Sequence, residues 1–178
     1  KDTPFVALAQ SINDKYCFTD YGVHLFPRHW IRNLATLWIL EQMFGEDSHP
    51  SPLSIAEPCC QDFSRLPAIS RFFESRQVVT EITGVEIDAF VPLKGFYSRW
   101  DHAQYYRSLV PQKTNYISAD YFNYLAPTDL ILCFYPFLSA APALAWGLPA
   151  TIASSLLWTQ SFERNLKTNG QVLVVHQG

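Results

Sequence analysis

The stretch Leu53-Ser54-Ile55-Ala56-Glu57-Pro58-Cys59-Cys60-Gln61-Asp62-Phe63 joins a short apolar run to a polar turn. Its first part, residues 53–57, has the length and character of a strand that is buried on both faces. Later runs of the same kind occur at residues 83–87, 115–118, 129–134 and 171–176. The sequence therefore predicts five short strands that are buried on both faces of a sheet.

The segments between these strands have apolar residues at helical spacing. Ser64 is a candidate cap for one helix, and residues 98–110 and 161–167 form two more helical patterns. Asn169 and Gly170 are typical of a helix stop and turn. Because strands that alternate with helices form βαβ units, we expect a doubly wound parallel α/β sheet with helices on both faces.

An amphipathic helix is predicted ahead of the first strand, over residues 27–44. Pro27 suits its first turn and Gly45 suits its end. We expect residues 1–50 to form N-terminal helices that cover a Rossmann-like domain of residues 51–178. The two parts are expected to make one structural unit.

Composition narrows the classes of function. The 178 residues carry a net charge of −3 and the sequence pI is about 5.9, so charge gives no support to nucleic-acid binding, although a local basic patch stays open. The longest apolar stretch, residues 140–157, is interrupted by Pro142, Gly147 and Pro149, which makes it a poor membrane span. We expect no membrane association.

Cysteine spacing and the N-terminus bear on the cellular compartment. Cys17, Cys59, Cys60 and Cys133 make no CxxC pair, which predicts reduced and largely buried thiols and neither a disulfide framework nor a zinc site. No signal-peptide pattern is present at the N-terminus. These observations favour a cytoplasmic protein. No metal-ligand spacing and no Ser-His-Asp set can be assigned.

Several segments together resemble the S-adenosylmethionine-dependent methyltransferases, above all the amino (adenine-N6) DNA methyltransferases. Residues 57–63 resemble the cofactor loop Glu-Pro-x-Cys-Gly-x-Gly of that type. The other matching segments, in chain order, are Phe26-Pro27-Arg28-His29-Trp30, Val85-Glu86-Ile87-Asp88, Ala119-Asp120-Tyr121, Phe134-Tyr135-Pro136-Phe137 and the turn into strand five at residues 166–175. Their order and spacing are the specific part of the resemblance.

This resemblance implies a class I methyltransferase fold with strand order 3-2-1-4-5, the cofactor S-adenosylmethionine and methyl transfer to an acceptor that the sequence does not identify. The residues that it implies for the cofactor are Phe26, Glu57, Pro58, Cys59, Glu86, Ile87, Asp120 and Tyr121. Those implied for the acceptor are Phe134, Tyr135, Pro136 and Phe137.

The loop departs from the family pattern at its glycine positions, which here are Cys59, Gln61 and Phe63. Side chains at these positions would crowd the methionine part of the cofactor, and Asp62 would add a negative charge there. We therefore expect cofactor binding to be weak or lost. The alternative is a loop that only turns the chain while Cys59 and Cys60 pack in the core.

The acidic residues have two interpretations each. Glu86, at the end of a strand, can accept hydrogen bonds from ribose hydroxyls, whereas Asp88 fits a solvated cap of the next helix better. Asp120 fits a ligand contact or a turn equally well. Phe134 stands where amino methyltransferases have an Asn or Asp that accepts hydrogen bonds from the target amine, so adenine-N6 transfer is in doubt.

Other functions stay open. A non-catalytic binding or scaffolding module would explain the missing glycines and Phe134. A nicotinamide-dependent oxidoreductase lacks the Gly-x-Gly-x-x-Gly that it needs. His176, at the end of the fifth strand, could be a general base or a surface residue. The fifth strand is expected to be an open edge, covered either by continuation of the natural chain or by self-association.

Overall fold

A computed structural model describes residues 4–93, 95–145 and 150–176 of the chain. The helices are α1 (Pro4–Tyr16), α2 (Thr19–Gly22), α3 (Pro27–Phe44), α4 (Leu66–Glu74), α5 (Arg99–Ser108), α6 (Ala140–Ala145) and α7 (Ser155–Asn165), with a short 3-10 turn at Ala150–Ile152. The strands are β1 (Leu53–Pro58), β2 (Thr80–Glu86), β3 (Lys113–Ser118), β4 (Thr128–Phe134) and β5 (Leu166–Val175).

The five strands form one sheet in the order β3-β2-β1-β4-β5, and every neighbouring pair is parallel. The predicted doubly wound α/β fold and its strand order are confirmed. The order reverses between β1 and β4, because the chain leaves β1 towards β2 and β3 and then returns to the other side. In open α/β sheets, ligands bind beyond the carboxyl ends of the strands at such a reversal.

Alternation along the strands divides the core between the two faces of the sheet. Leu130 and Leu132 of β4 belong to the larger cluster, which packs against α3, α4 and α5. Ile131 and Cys133 face a smaller cluster that includes Trp158 of α7. Burial on both faces explains the nearly continuous apolar sequences of β1 and β4. The edge strands β3 and β5 are only partly buried, so the prediction that all five strands are buried on both faces is wrong for them.

The N-terminal helices share the larger core with the sheet. Ile12 and Tyr16 of α1 and Leu37 and Leu40 of α3 lie in the same buried cluster as Ile55 of β1. The predicted bounds of α3 are confirmed: Pro27 occupies its first turn and Gly45 caps its end. The beginning of α3 lies near the carboxyl edge of the sheet, because His29 and Arg32 approach Asp62 and Ser64, which follow β1.

Two predicted helix boundaries are wrong. The cap of α4 is Arg65 and no side chain caps the helix, because the Ser64 hydroxyl accepts a hydrogen bond from Arg32 at 3.0 Å instead. Asn169 and Gly170 lie inside β5 and do not end a helix. The strand begins at Leu166 directly after α7, because Leu166 pairs with Thr128 of β4.

The predictions about cysteine and membrane are tested within the described residues. All four cysteines are free. The prediction of largely buried thiols is wrong for Cys17, which is exposed. None of the described helices is long and apolar enough to cross a membrane. Gly147 and Pro149, which interrupt the apolar stretch in the sequence, lie outside the described residues.

Candidate functional site

The loop after β1 lies at the strand-order reversal and has an unusual backbone. Cys59, Gln61 and Phe63 have φ angles of 53°, 55° and 61°, which are in the left-handed region. Residues other than glycine adopt this region at a cost of about 1–2 kcal/mol each. Three of the five residues 59–63 carry this cost, so the backbone of the loop is strained. These are the three positions that the sequence resemblance assigned to glycine. The backbone therefore keeps a glycine-loop conformation without the glycines.

Contacts from β2 and β3 hold the loop in this conformation. The backbone N–H of Gln61 donates to Oε2 of Glu86 at 2.9 Å. The hydroxyl of Tyr116 donates to the carbonyl oxygen of Gln61. The ring of Phe63 is buried with its centroid 5.8 Å from that of Tyr116. Strained residues persist when surrounding contacts over-determine them, and these three contacts do so here.

A glycine in β2 makes room for the loop. A Cβ atom at Gly84 would lie 2.7 Å from Sγ of Cys60 and 3.0 Å from a ring carbon of Phe63. The side chains of Cys60 and Phe63 are therefore directed into the core beneath the loop and not into the space above it. The expectation that the Phe63 side chain would crowd a ligand is therefore wrong. The side chains of Cys59 and Gln61 are half-buried, so for these two positions the expectation stays a prediction.

Glu86, at the end of β2, accepts three hydrogen bonds. Its Oε1 accepts from the backbone N–H of Asp88 at 3.0 Å and from Nη1 of Arg99 at 2.9 Å, while Oε2 accepts from Gln61. A carboxylate has about four lone-pair positions, so one on Oε2 stays open for a ligand hydroxyl. Asp88 is half exposed and lies 3.6 Å from Arg99.

Glu57, the last acid of β1, is buried and has no hydrogen-bond partner on either carboxylate oxygen within the described part of the chain. Its nearest cation is Arg65, with Nη1 3.8 Å from Oε1. Burial raises the pKa of Glu57 to about 8, and Arg65 only partly offsets this effect. A large fraction of Glu57 is therefore protonated at neutral pH. Pro58, which follows it, is also buried.

Arg65 and the end of β4 form the other side of the reversal. The guanidinium carbon of Arg65 lies 4.8 Å from the ring centroid of Phe134 and 5.3 Å from that of Tyr135. Phe134 and Pro136 are buried, Phe137 is half-buried and Tyr135 is exposed, with a φ of 58°. The predicted acceptor segment is thus an aromatic surface stacked with a cation. The sequence did not identify Arg65, because its role depends on a contact across the sheet.

Asp120 and Tyr121 follow β3. The carboxylate of Asp120 accepts from the backbone N–H of Phe122 at 3.0 Å and from Nδ2 of Asn123 at 2.8 Å, so it stabilises a turn. Each of its oxygens keeps a free lone pair. Tyr121 is buried against Trp158, and its hydroxyl and the indole N–H of Trp158 have no hydrogen-bond partner among the described residues.

Phe26, which precedes α3, and Ile87, which follows β2, are both exposed. The ring of Phe26 makes an edge contact with His29, at a centroid distance of 5.8 Å. Phe26 also lines a cavity of about 590 Å³, together with Val23, His24, Leu25, Pro27, Tyr97, Asp101, His102, Gln104 and Tyr105. The cavity adjoins the beginnings of α3 and α5.

A buried polar array, which the sequence did not indicate, connects α3 and α5 with the loop. His29 shares a hydrogen bond between its Nδ1 and the hydroxyl of Tyr106, and its Nε2 lies 3.7 Å from Oδ2 of Asp62. Burial lowers the pKa of His29, while Asp62 opposes this effect. Nε2 of His29 also accepts from Nε of Arg28 at 3.0 Å, so the array joins α3 to α5 by a hydrogen bond and approaches the loop at Asp62 without one. His176, the other histidine considered, is exposed.

The cysteines at the site are unsuited to nucleophilic catalysis. Burial raises the pKa of the Cys59 thiol to about 12, and it raises the pKa values of Cys60 and Cys133 well above the ordinary value. Thiols with such pKa values are not ionised at neutral pH. Within the described residues, no group of three His, Cys, Asp or Glu side chains is arranged to hold a metal ion.

No family model and no curated protein matches the chain. Solved structures do. A protein from Listeria monocytogenes, assigned to the class I S-adenosylmethionine-dependent methyltransferases, is similar over 96% of this chain and 53% of its own, with 15% identity and a TM-score of 0.54. The fold is that of the class I S-adenosylmethionine-dependent methyltransferases.

Two further structures have this methyltransferase fold. Coclaurine N-methyltransferase, bound to N-methylheliamine and SAH, is 12% identical over 81% of this chain and 35% of its own, with a TM-score of 0.52. Phosphoethanolamine N-methyltransferase 2 from Haemonchus contortus, in complex with S-adenosyl-L-methionine, is 13% identical over 82% of this chain and 27% of its own, with a TM-score of 0.51. The chain thus spans about half or less of the length of these proteins.

Within the methyltransferase fold, several of the residues named from the sequence lie around one loop, whereas Asp120 binds its own turn. Glu57 and Cys59 begin it, Glu86 binds it, and Tyr121 packs in the same cluster as Cys59. Phe134 is joined to Glu57 through Arg65. Phe26 reaches the loop indirectly, through the His29 array, and exposed Ile87 makes no such link. Their roles towards a ligand stay predictions.

Proposed function

We propose that this chain is a methyltransferase domain that uses S-adenosylmethionine and transfers its methyl group to an acceptor at the carboxyl end of β4. The observation that carries the proposal is the backbone of the loop after β1. Its left-handed residues Cys59, Gln61 and Phe63 reproduce a glycine-loop conformation at the point where α/β sheets bind ligands. A loop without a ligand to bind has no need of this strain.

The residues present fit the cofactor by the chemistry of their polar groups. Glu86 keeps one open lone pair next to the loop, which suits a ribose hydroxyl. Asp120 keeps acceptor capacity after β3, which suits an adenine amino group. Among the described residues, neither carboxyl oxygen of Glu57 has a hydrogen-bond partner. Bound S-adenosylmethionine would supply an electrophilic methyl group on a sulfonium.

The chain's own residues bind and orient in this proposal, and no acid–base pair is required. Catalysis by positioning needs two reactants held in line at a short distance. The loop and Glu86 would fix one reactant, and the aromatic surface of Phe134 and Tyr135 would fix the other. The buried His29 array would keep α3 closed over the loop and exclude water.

The acceptor differs from that of the adenine-N6 DNA methyltransferases, in our proposal, although the order of motifs is most similar to theirs. Phe134 cannot accept hydrogen bonds from a target amine, and its ring is already stacked with Arg65. The net charge of −3 gives no support to a nucleic-acid acceptor. The motifs are degenerate, and we propose weak cofactor binding as the consequence.

Cellular setting and partners also belong to the proposal. The free cysteines favour a cytoplasmic location. Among the described strands, β5 lies at the sheet edge and pairs only with β4, so we propose that this edge pairs with further strands or with a second copy. Light scattering on the purified protein tests for self-association.

Binding and transfer assays test the function. Titration calorimetry should detect S-adenosylmethionine and S-adenosylhomocysteine binding with dissociation constants weaker than low micromolar. Transfer of a labelled methyl group to a panel of small carboxylates, amines and phenols would then identify the acceptor. Binding of neither compound by the folded protein would contradict the proposal and favour a non-catalytic module, which the solved structures of similar fold do not support.

A further inference from the structure

We propose that Arg65 is a carboxylate receptor, whose guanidinium binds a carboxylate that a ligand brings into the crevice between β1 and β4. The carboxylate belongs either to the amino-acid end of the cofactor or to the acceptor. The inference rests on the proposed function, because the two candidate ligands are the cofactor and the acceptor of that reaction. It assigns a binding role to a residue that the sequence motifs did not mark.

The hydrogen-bonding capacity of Arg65 is unused. A guanidinium has five N–H donors. Among the described residues no group accepts a hydrogen bond from the Arg65 side chain, and its closest acid, Glu57, lies 3.8 Å away, beyond hydrogen-bond distance. The side chain is nevertheless only 5% exposed. None of its nitrogens is among the fully enclosed polar atoms without a partner in the described part of the chain, so these donors stay reachable from the crevice by a ligand that supplies acceptors.

The aromatic rings beside Arg65 orient its donors. The guanidinium lies over the rings of Phe134 and Tyr135, at 4.8 and 5.3 Å from their centroids. Stacking covers the faces of a guanidinium and leaves its N–H donors in its own plane. Phe134 therefore does more than remove the hydrogen-bond acceptor of amino methyltransferases. It helps to build a platform that presents a planar fork of donors.

The charges around Arg65 also favour an anion. Burial lowers the pKa of Arg65; Glu57, Tyr135 and Asp62 oppose this effect, and Arg32 adds to it. Glu57, the acid that acts on Arg65 most, is largely protonated at neutral pH because burial raises its pKa to about 8. The positive charge of Arg65 is thus left without a full counter-charge.

A carboxylate matches this site better than a phosphate. The guanidinium fork binds a carboxylate through two parallel hydrogen bonds. A phosphate dianion has more acceptor oxygens and more charge than one buried fork can satisfy. A single planar anion is the group that the geometry accommodates.

The acceptor version of the proposal has a balanced reaction. A lone pair on an ionised carboxylate oxygen would form the new O–CH₃ bond while the bond between methyl carbon and sulfonium sulfur breaks. The electron pair of the broken bond stays on sulfur. The products are a methyl ester and S-adenosylhomocysteine, and no proton moves. The neutral ester would bind Arg65 less well than the acid, which favours product release.

The test begins with paired ligands on the unmodified protein. S-adenosylhomocysteine is compared with its decarboxylated analogue, which lacks only the carboxylate. Phenylacetate is compared with phenylacetamide, because an aromatic acid suits the rings of Phe134 and Tyr135. If the proposal holds, calorimetry shows a preference of about 10- to 100-fold for the carboxylate in at least one pair.

Variants then assign the preference to Arg65. Arg65→Met removes the charge and keeps the length of the side chain, and it should abolish the preference. Lys113→Met is the matched control, because Lys113 is exposed at the start of β3 and its ion pair among the described residues is with Glu81 at the surface. The double variant Glu57→Gln with Arg65→Met covers the case in which Arg65→Met alone fails to fold.

Each outcome has a distinct meaning. Loss of preference only in the S-adenosylhomocysteine pair supports a receptor for the cofactor, and loss only in the phenylacetate pair supports a receptor for the acceptor. A preference that is absent, or that survives Arg65→Met or the double variant, overturns the proposal. If neither S-adenosylhomocysteine nor its analogue binds, the proposed function fails, and the phenylacetate pair still decides the role of Arg65.

Discussion

The backbone N–H of Gln61 donates a hydrogen bond of 2.9 Å to Oε2 of Glu86. This bond joins the loop after β1 to the acid at the end of β2, and Arg99 holds the same carboxylate from the other side. Glu86 therefore maintains the shape of the loop in addition to any contact with a ligand. A substitution of Glu86 is therefore expected to change both the stability of the loop and the affinity for a ligand.

Glu86→Ala is expected to weaken S-adenosylmethionine binding by about 1–3 kcal/mol, the range for losing a charged hydrogen-bond partner. It should also lower the free energy of unfolding, because Gln61 and Arg99 lose their acceptor. Calorimetric titration and urea denaturation measure the two effects. Unchanged affinity would refute the ribose assignment.

Asp88→Ala is the control for this experiment. Asp88 lies near the same guanidinium, at 3.6 Å, but is half exposed and gives the loop no hydrogen bond. Exposed ion pairs contribute little to stability. Affinity and stability should therefore stay close to those of the unmodified protein.

The fold could be predicted from the sequence because its determinants are local. The apolar run of β4 and the helix from Pro27 to Phe44 appear directly in the residue pattern. The end of α7 could not be predicted in this way, because the pairing of Leu166 with Thr128 overrides the turn signal of Asn169 and Gly170. Tertiary pairing decided that boundary.

Gln61→Gly is expected to stabilise the protein by about 1 kcal/mol and to tighten cofactor binding. Glycine removes the cost of the left-handed backbone, and its greater entropy in the unfolded chain offsets only part of that gain. Gln77 has a φ of 59° and is exposed after α4, so Gln77→Gly is the matched control. Denaturation should show similar gains for both variants, and titration should show a change in affinity for Gln61→Gly alone. Equal affinities would mean that the loop does not limit binding.

Gly84→Ala is expected to displace the loop and destabilise the protein. The added Cβ would lie 2.7 Å from Sγ of Cys60 and 3.0 Å from the ring of Phe63. Overpacking of a core costs about 1–3 kcal/mol. The double variant with Cys60→Ala should recover part of the loss, because it removes the closest atom. A double-mutant cycle with no coupling between the two positions would contradict the packing described for the loop.

The site could be predicted only in part. Glu57, Glu86 and Phe134 are visible in the sequence because each ends a strand. Arg65 and the pairing of His29 with Tyr106 are not, because their partners lie far away along the chain. The Arg65 side chain and Phe134 meet only because β1 and β4 are neighbours in the sheet. No local pattern encodes such contacts.

The buried carboxyl of Glu57 predicts a dependence of stability on pH. Its pKa is raised by burial to about 8 in the folded protein, whereas an unfolded glutamate has a pKa of about 4.3. Below the unfolded value both states are protonated. Between the two values the folded state binds more protons, so the free energy of unfolding falls as pH rises, by about 1.4 kcal/mol per pH unit at most. Above the pKa of the folded state, the free energy of unfolding no longer falls with pH.

Glu57→Gln should remove this decrease, since glutamine is neutral at every pH and has a similar shape. Urea denaturation at pH 7 and pH 8 is the measurement. His29, whose pKa is lowered by burial, contributes little there because it loses stabilising effect only as pH falls through its unfolded value of about 6.5. The difference in unfolding free energy between Glu57→Gln and the unmodified protein should therefore grow with pH across this window. A constant difference would show that Glu57 is ionised in the folded state, with Arg65 as a full counter-ion.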